Sequence, residues 1–182
     1  EQPDPLQPTA GLNGRRRMAS HRETRTIGLP VDRLFDVVAD VESYPDFVPL
    51  IRAARVLRRD LAAYETEQTL AVGLLQHRFR TRTELLRPQA ISIVSQDRSF
   101  CRFDIRWNFA PLAEDRCQVD FALDCELRSL FLMPVLQVLV LPMAGSMVSA
   151  FEQRAHLLAA QAAAHPGSQP RDFLPDDDRR QD

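Results

Sequence analysis

SLFLMPVLQVLVLPMAGSMVSAF, residues Ser129 to Phe151, holds no charged side chain and is closed by Arg128 before it and Glu152 after it. As an α-helix it would rise roughly 34 Å, enough to cross a bilayer. Taken alone it is a membrane span, a buried core helix, or a helix lining a cavity for an apolar ligand. The residues on either side choose among these.

The chain just before it has a period of two. Cys117, Val119, Phe121, Leu123, Cys125 and Leu127 alternate with Gln118, Asp120, Asp124 and Glu126. One turn earlier, Cys101, Phe103, Ile105, Trp107 and Phe109 alternate with Arg102, Asp104, Arg106 and Asn108. Paired as a hairpin, these strands are expected to set Arg102 and Arg106 against the row of acids. Further upstream, Tyr64–Val72, His77–Leu85 and Gln89–Ser95 alternate in the same way, Ile51 opens another strand, and His21–Leu29 reads as a polar one. Such a sheet is antiparallel, wet on one face and apolar on the other. The uncharged stretch is the only segment large enough to cover the apolar face. It is single, contains Pro134, Gln137 and Pro142, and is needed as a cover, so we expect a helix rather than a span, bent or broken at its prolines.

Between the first two strands, Val31, Leu34, Phe35, Val38 and Val41 form one apolar face of a helix opened by Pro30, and Tyr44–Leu50 restarts as a short helical turn. After the uncharged stretch, Glu152–Ala164 continues as helix until Pro166 and Gly167 stop it. The expected organisation is a disordered extension over residues 1–20, one domain over 21–164 and a disordered tail over 165–182.

Composition narrows the function. The 182 residues are 45% hydrophobic and 26% charged with net charge −2, values of an ordinary globular domain that argue against a dedicated nucleic-acid binder. The opening EQPDPLQPTAGLNG is too polar for a secretory signal. The three cysteines lack CxxC spacing and a nearby histidine, so no metal site is expected. His21, His77, His156 and His165 have no carboxylate or nucleophile at a recognised catalytic spacing, and the six glycines make no phosphate loop. No catalytic residues are assigned. Glu65 and Glu67 read as ordinary surface charges.

Four segments carry a more specific resemblance. LFDVVADVESYPDFVP over residues 34–49, HRFRTR over 77–82, WNFAPL over 107–112 and AFEQRA over 150–155 occur in the order of the coenzyme Q-binding proteins, and the chain resembles that family of the START/polyketide cyclase-dehydratase, Bet v 1-like superfamily. It departs from the family pattern at Leu50-Ile51, where Trp-Cys is usual, and at Arg98-Ser99-Phe100, where Gly-Pro-Phe is usual. The resemblance implies an α+β helix-grip fold: a curved antiparallel sheet of about six or seven strands around a long C-terminal helix, with two short helices after the first strand. It also implies non-catalytic binding of ubiquinone or a related polyprenyl quinone, with no covalent cofactor, in support of respiratory electron transfer or quinone biosynthesis. The implied partners are the quinone, a membrane surface and respiratory or quinone-biosynthesis proteins. The implied location is cytoplasmic and peripheral on the bacterial inner membrane, or the matrix side in a mitochondrion. Some bacterial relatives are toxins that bind the large ribosomal subunit, and aromatase/cyclase enzymes share the fold. The ribosome reading needs a basic surface, for which Arg78, Arg80 and Arg82 are candidates. The enzyme reading needs acid–base groups deep in the cavity.

The candidate ligand-binding residues follow from the inward faces. On the sheet they are Phe79, Thr81, Phe103, Trp107 and Phe121, and over the mouth Phe35, Tyr44 and Phe47. On one face of the long helix they are Leu132, Leu136, Leu139, Val140, Met143 and Met147, continued by Ala150 and Phe151. Val148, Ser149 and Glu152 fall on the helix's other face. Each position also serves as plain core packing. Inward-facing His77 is expected at the watered rim.

Overall fold

The structure, a computed structural model, describes residues 18–128 and 141–164. Seven strands, β1 (Met18–Ile27), β2 (Ile51–Arg59), β3 (Ala63–Val72), β4 (Leu75–Leu86), β5 (Ala90–Val94), β6 (Phe100–Ala113) and β7 (Arg116–Leu127), form one sheet. Its order is β1-β7-β6-β5-β4-β3-β2 and every neighbouring pair is antiparallel. Helix α1 (Val31–Ala39), a single 3₁₀ turn (Val41–Ser43) and helix α2 (Tyr44–Phe47) connect β1 to β2, and helix α3 (Leu141–Ala164) follows β7. This is the expected helix-grip arrangement of a curled sheet against a C-terminal helix.

The alternation sets the faces. Cys117, Val119, Phe121, Leu123, Cys125 and Leu127 are all buried, as are Ile105, Trp107 and Phe109 across the hairpin. Residues 129–140, expected to begin the long helix, lie outside the described residues; Pro142 stands in the first turn of α3 as described, where its missing N–H costs little. Helix α1 begins after Pro30 with Asp32 in its first turn. Its last carbonyls, left without partners inside the helix, accept two tyrosine hydroxyls: Tyr44 donates to Val38 and Tyr64 donates to Ala39 at 2.8 Å. Burial pushes the Tyr64 phenol up to about 12, so both groups stay protonated donors.

The structure corrects several local expectations. Strand β1 runs from Met18 to Ile27 rather than from His21 to Leu29, because β7 extends far enough to pair Met18 with Glu126. Cys101 points outward and is exposed, while Phe100 is buried. A register shift between Phe100 and Arg102 inserts one residue and reverses the alternation there. Arg102 does reach across to Asp124 at 3.6 Å, but Arg106 takes its partner from its own strand, Asp104 at 2.8 Å, because the residue opposite it is Ala122. On α3, Val148 is buried with Phe151 and Ala155. Its buried stripe is therefore rotated toward a face expected to be free, since the helix packs on α1 and β1 as well as over the sheet.

Candidate functional site

Three of the four segments that carry the family resemblance, 34–49, 107–112 and 150–155, meet in one place. Phe151 lies with its ring centroid 5.1 Å from each of Tyr44, Phe47 and Trp107, all edge-on. Arg154 stacks over Phe47 at 5.5 Å and pairs with Asp46 at 3.6 Å. Phe35 meets Phe109 at 5.6 Å, and Arg87 lies over its ring at 5.2 Å while bridging to Asp32 and Asp36. Phe35, Tyr44, Phe47 and Trp107 thus pack on protein, in a hub that fastens α1, α2 and α3 to the sheet.

Beyond this hub the inner face of the sheet changes character. His77, Phe79, Phe100 and Phe103 form a group of rings at the starts of β4 and β6, with Phe100 4.9 Å from Phe103 and 5.6 Å from Phe79. Phe79 and Phe103 were expected here; Phe100 was not, since only the bulge turns it inward. His77, expected at the rim, is half-buried, with its Nε2 shielded from solvent and without a hydrogen-bond partner. Beside the rings lies a buried polar cluster, Thr66 and Thr81 hydroxyls 2.7 Å apart with the Gln68 amide donating to both at 3.3 and 3.2 Å. Thr81 therefore has its hydrogen bonds met by protein.

The third component was missed in the sequence. His21, Glu23 and Arg25 alternate along β1 on its inner face, between buried Ala19 and Ile27. His21 Nε2 lies 3.5 Å from Glu23 Oε2, and Arg25 grips the other Glu23 oxygen. The Arg25 guanidinium also donates to Ser149 at 2.8 Å and Glu152 at 2.9 Å on α3. The hydrogen bond to Glu152 raises the Arg25 pKa most; burial opposes it, and the charge and hydrogen bond of Glu23 add to the rise. The His-x-Glu-x-Arg spacing was the available signal, a shared strand face. Because β1 is polar along most of its length, that spacing by itself does not mark an inner face.

Of the remaining predicted residues, Phe121 is buried between Trp107 at 4.6 Å and His21 at 6.0 Å, and Met147 packs partly buried against the core. Leu132, Leu136, Leu139 and Val140 lie outside the described residues, and so does the Met143 side chain. Among the described residues no three His, Cys, Asp or Glu side chains gather as metal ligands, and no helix is long and apolar enough to cross a membrane.

The outer face carries the second feature. Glu67, expected as an ordinary surface charge, has only 11% of its side chain exposed and is ringed by Arg55 at 2.8 Å, Arg80 at 3.5 Å and Arg78 at 3.8 Å. The hydrogen bond from Arg55 holds its carboxyl below the usual carboxylate range, helped by the charges of Arg78 and Arg80. One carboxylate thus serves three guanidinia, and Arg78 and Arg80 remain 70% exposed. A groove of about 960 Å³ opens on the same side near Leu61, Arg82 and Leu86; it is shallow and brings no unpartnered polar group into play.

Comparison with known proteins agrees with the fold. Residues 27–152 match a family described as polyketide cyclase / dehydrase and lipid transport. The chain is 32% identical over 142 residues to the ribosome association toxin RatA of Pseudomonas aeruginosa, covering 78% of this chain and 99% of that one. It is 26% identical over 150 residues to the mitochondrial coenzyme Q-binding protein COQ10 homolog B of Xenopus laevis, covering 80% of this chain and 61% of the relative. Among solved structures, the Zhui aromatase/cyclase from a Streptomyces species superposes with TM-score 0.68 at 17% identity, over 84% of this chain and 99% of the other, a likeness of fold alone.

Proposed function

The chain belongs to the polyketide cyclase / dehydrase and lipid transport family, and we propose that it binds a polyprenyl quinone, without catalysis, in the cup between the inner face of its sheet and the chain that follows β7. The observation that carries this is the composition of that inner face. An aromatic group of Phe79, Phe100 and Phe103 offers faces and edges to a flat ring or an isoprenoid chain, and the buried unpartnered His77 Nε2 lies among them. A buried polar atom without a partner is costly, so this end of the inner face is not a finished apolar core. The sequence that follows β7 is uncharged from Ser129 to Phe151 and carries the apolar side chains Leu132, Leu136, Leu139, Val140, Met143 and Met147. In this role the protein is a lipid chaperone, peripheral to a membrane, that presents quinone to respiratory or biosynthetic proteins. The test is to purify the protein from its host, extract it with organic solvent and look for quinone by mass spectrometry. Co-purifying quinone and a raised melting temperature with added quinone are expected. Neither appearing would overturn the reading.

A second reading is favoured by the arginine cluster around Glu67 and by the similarity to RatA: association with ribosomes through the outer face of β2–β4. The two faces are distinct, so one chain can do both. Arg78, Arg80 and Arg82, all replaced by Ser, should lose co-sedimentation with ribosomes while keeping the melting temperature, and wild-type co-sedimentation should weaken steeply with salt. Binding that survives both the replacements and added salt would exclude this surface.

A further inference from the structure

We propose that the inner face of β1 is a headgroup subsite that selects the reduced, hydroxyl-bearing form of a quinone over the oxidised form. The inference rests on the quinone-binding reading and specifies which redox state is held. Its first support is a pair of buried polar atoms, His21 Nε2 and Glu23 Oε2, neither of which has a hydrogen-bond partner. They stand 3.5 Å apart, without the geometry of a hydrogen bond.

The second support is how Glu23 is held. Arg25 engages its other carboxylate oxygen and is itself held by Ser149 and Glu152. The carboxylate is therefore fixed in place with Oε2 left over. Two carboxylates share one guanidinium along this seam, and residues 129–151 add no charge. The seam thus has an excess of acceptors and of negative charge whenever His21 is neutral. The third support is the wall beside it. The buried ring of Phe121 lies 6.0 Å from His21 and is backed by buried Trp107 at 4.6 Å, so the polar pair stands against apolar ring faces.

An ionised carboxylate only accepts hydrogen bonds. A quinone carbonyl also only accepts, so the oxidised ring would set lone pair against lone pair at Glu23 and leave Oε2 unpartnered. A hydroquinone hydroxyl donates to Oε2 in a charge-assisted bond, and its oxygen remains able to accept from the His21 Nε2–H tautomer. Such a bond is sufficient for about a tenfold difference in affinity between the two forms. By linkage, tenfold tighter binding of the quinol raises the potential of the bound two-electron couple by about 30 mV.

The measurement is anaerobic titration of the purified full chain with decylubiquinone and, separately, with decylubiquinol, followed by the fluorescence of Trp107, the one tryptophan in the chain. The wild type should bind the quinol about tenfold more tightly. Glu23→Gln, whose amide can donate as well as accept, should bring the two affinities within about twofold of each other. A purely structural role for Glu23 would lower both affinities and the melting temperature together, leaving the ratio unchanged. Equal wild-type affinities overturn the inference and leave quinone binding standing, and so does a quinol preference that survives Glu23→Gln. Binding of neither form overturns both. Should Glu23→Gln fail to fold, the wild-type ratio alone decides.

Discussion

Replacing Phe151 with Ala tests whether the family-like segments act as the fastening of the helix. Phe151 is 2% exposed and its ring meets three others, Tyr44, Phe47 and Trp107, each at 5.1 Å. Truncating a buried Phe to Ala costs about 3–5 kcal/mol through lost transfer energy and the cavity left behind. Edge-on ring pairs add roughly 0.5–1.5 kcal/mol each beyond burial, which puts this site toward the upper end, about 4–5 kcal/mol. For a domain of this size that lowers the melting temperature by roughly 8–20 °C. Urea unfolding followed by circular dichroism gives the stability directly, and an unchanged slope of free energy against urea would show that the unfolding reaction is the same. Phe151→Leu should recover more than half of the loss by refilling the cavity. A loss below about 1.5 kcal/mol for Phe151→Ala would refute the hub, because the site would then be collapsing or wetting freely.

Three further perturbations address separate parts of the molecule. Thr81→Val takes one hydrogen bond from each of the Thr66 hydroxyl and the Gln68 amide, leaving only their mutual 3.3 Å bond, and should cost about 1–3 kcal/mol; the triple replacement Thr66→Val, Thr81→Val, Gln68→Leu should regain much of it in the same unfolding assay. Burial pushes the Cys125 thiol up to about 12 and raises that of Cys117, whereas Cys101 is exposed, so a thiol reagent at neutral pH should modify Cys101 in the native protein and all three cysteines only after denaturation; fast native reaction at Cys125 would contradict the packing of β7. Asp124 is held below the usual carboxylate range, first by the hydrogen bond from Arg22, then by that from Ser20, with burial opposing and Arg102 helping. A lowered carboxyl stabilises the fold above its unfolded value near pH ~4 and loses that contribution as pH falls through the lower folded value. Asp124→Asn should flatten this part of the stability profile below about pH 4, by less than about 1 kcal/mol because Arg22 is largely exposed; parallel profiles would show that the cluster contributes nothing.

Much of the fold is legible in the chain because the strand period is local. A residue two positions along a strand returns to the same face whatever lies across from it, so β3, β4, β7 and most of β6 can be assigned inner and outer faces from their own residues. The same locality explains the failures. The extra residue between Phe100 and Arg102 depends on how β6 meets β7, and it exchanged a predicted inward Cys101 for an unpredicted inward Phe100. The partner of Arg106 depends on the register, which sets Ala122 and not an acid opposite it. Val148 shows the same for the helix: its periodicity defines stripes, but the position of β1 and α1 decides which stripe is covered.

The sequence by itself determined the strand faces, the need for a covering segment after Leu127, and the family, because each rests on spacings within a few residues. Only the tertiary structure decided that the aromatic signature residues fasten helices to the sheet, that Glu67 gathers arginines from β2 and β4, and that polar His21 and Glu23 turn inward beside Phe121. Those are meetings of side chains more than ten residues apart in the chain. They exist only once seven strands have closed in one register, and no local pattern carries the distance between them.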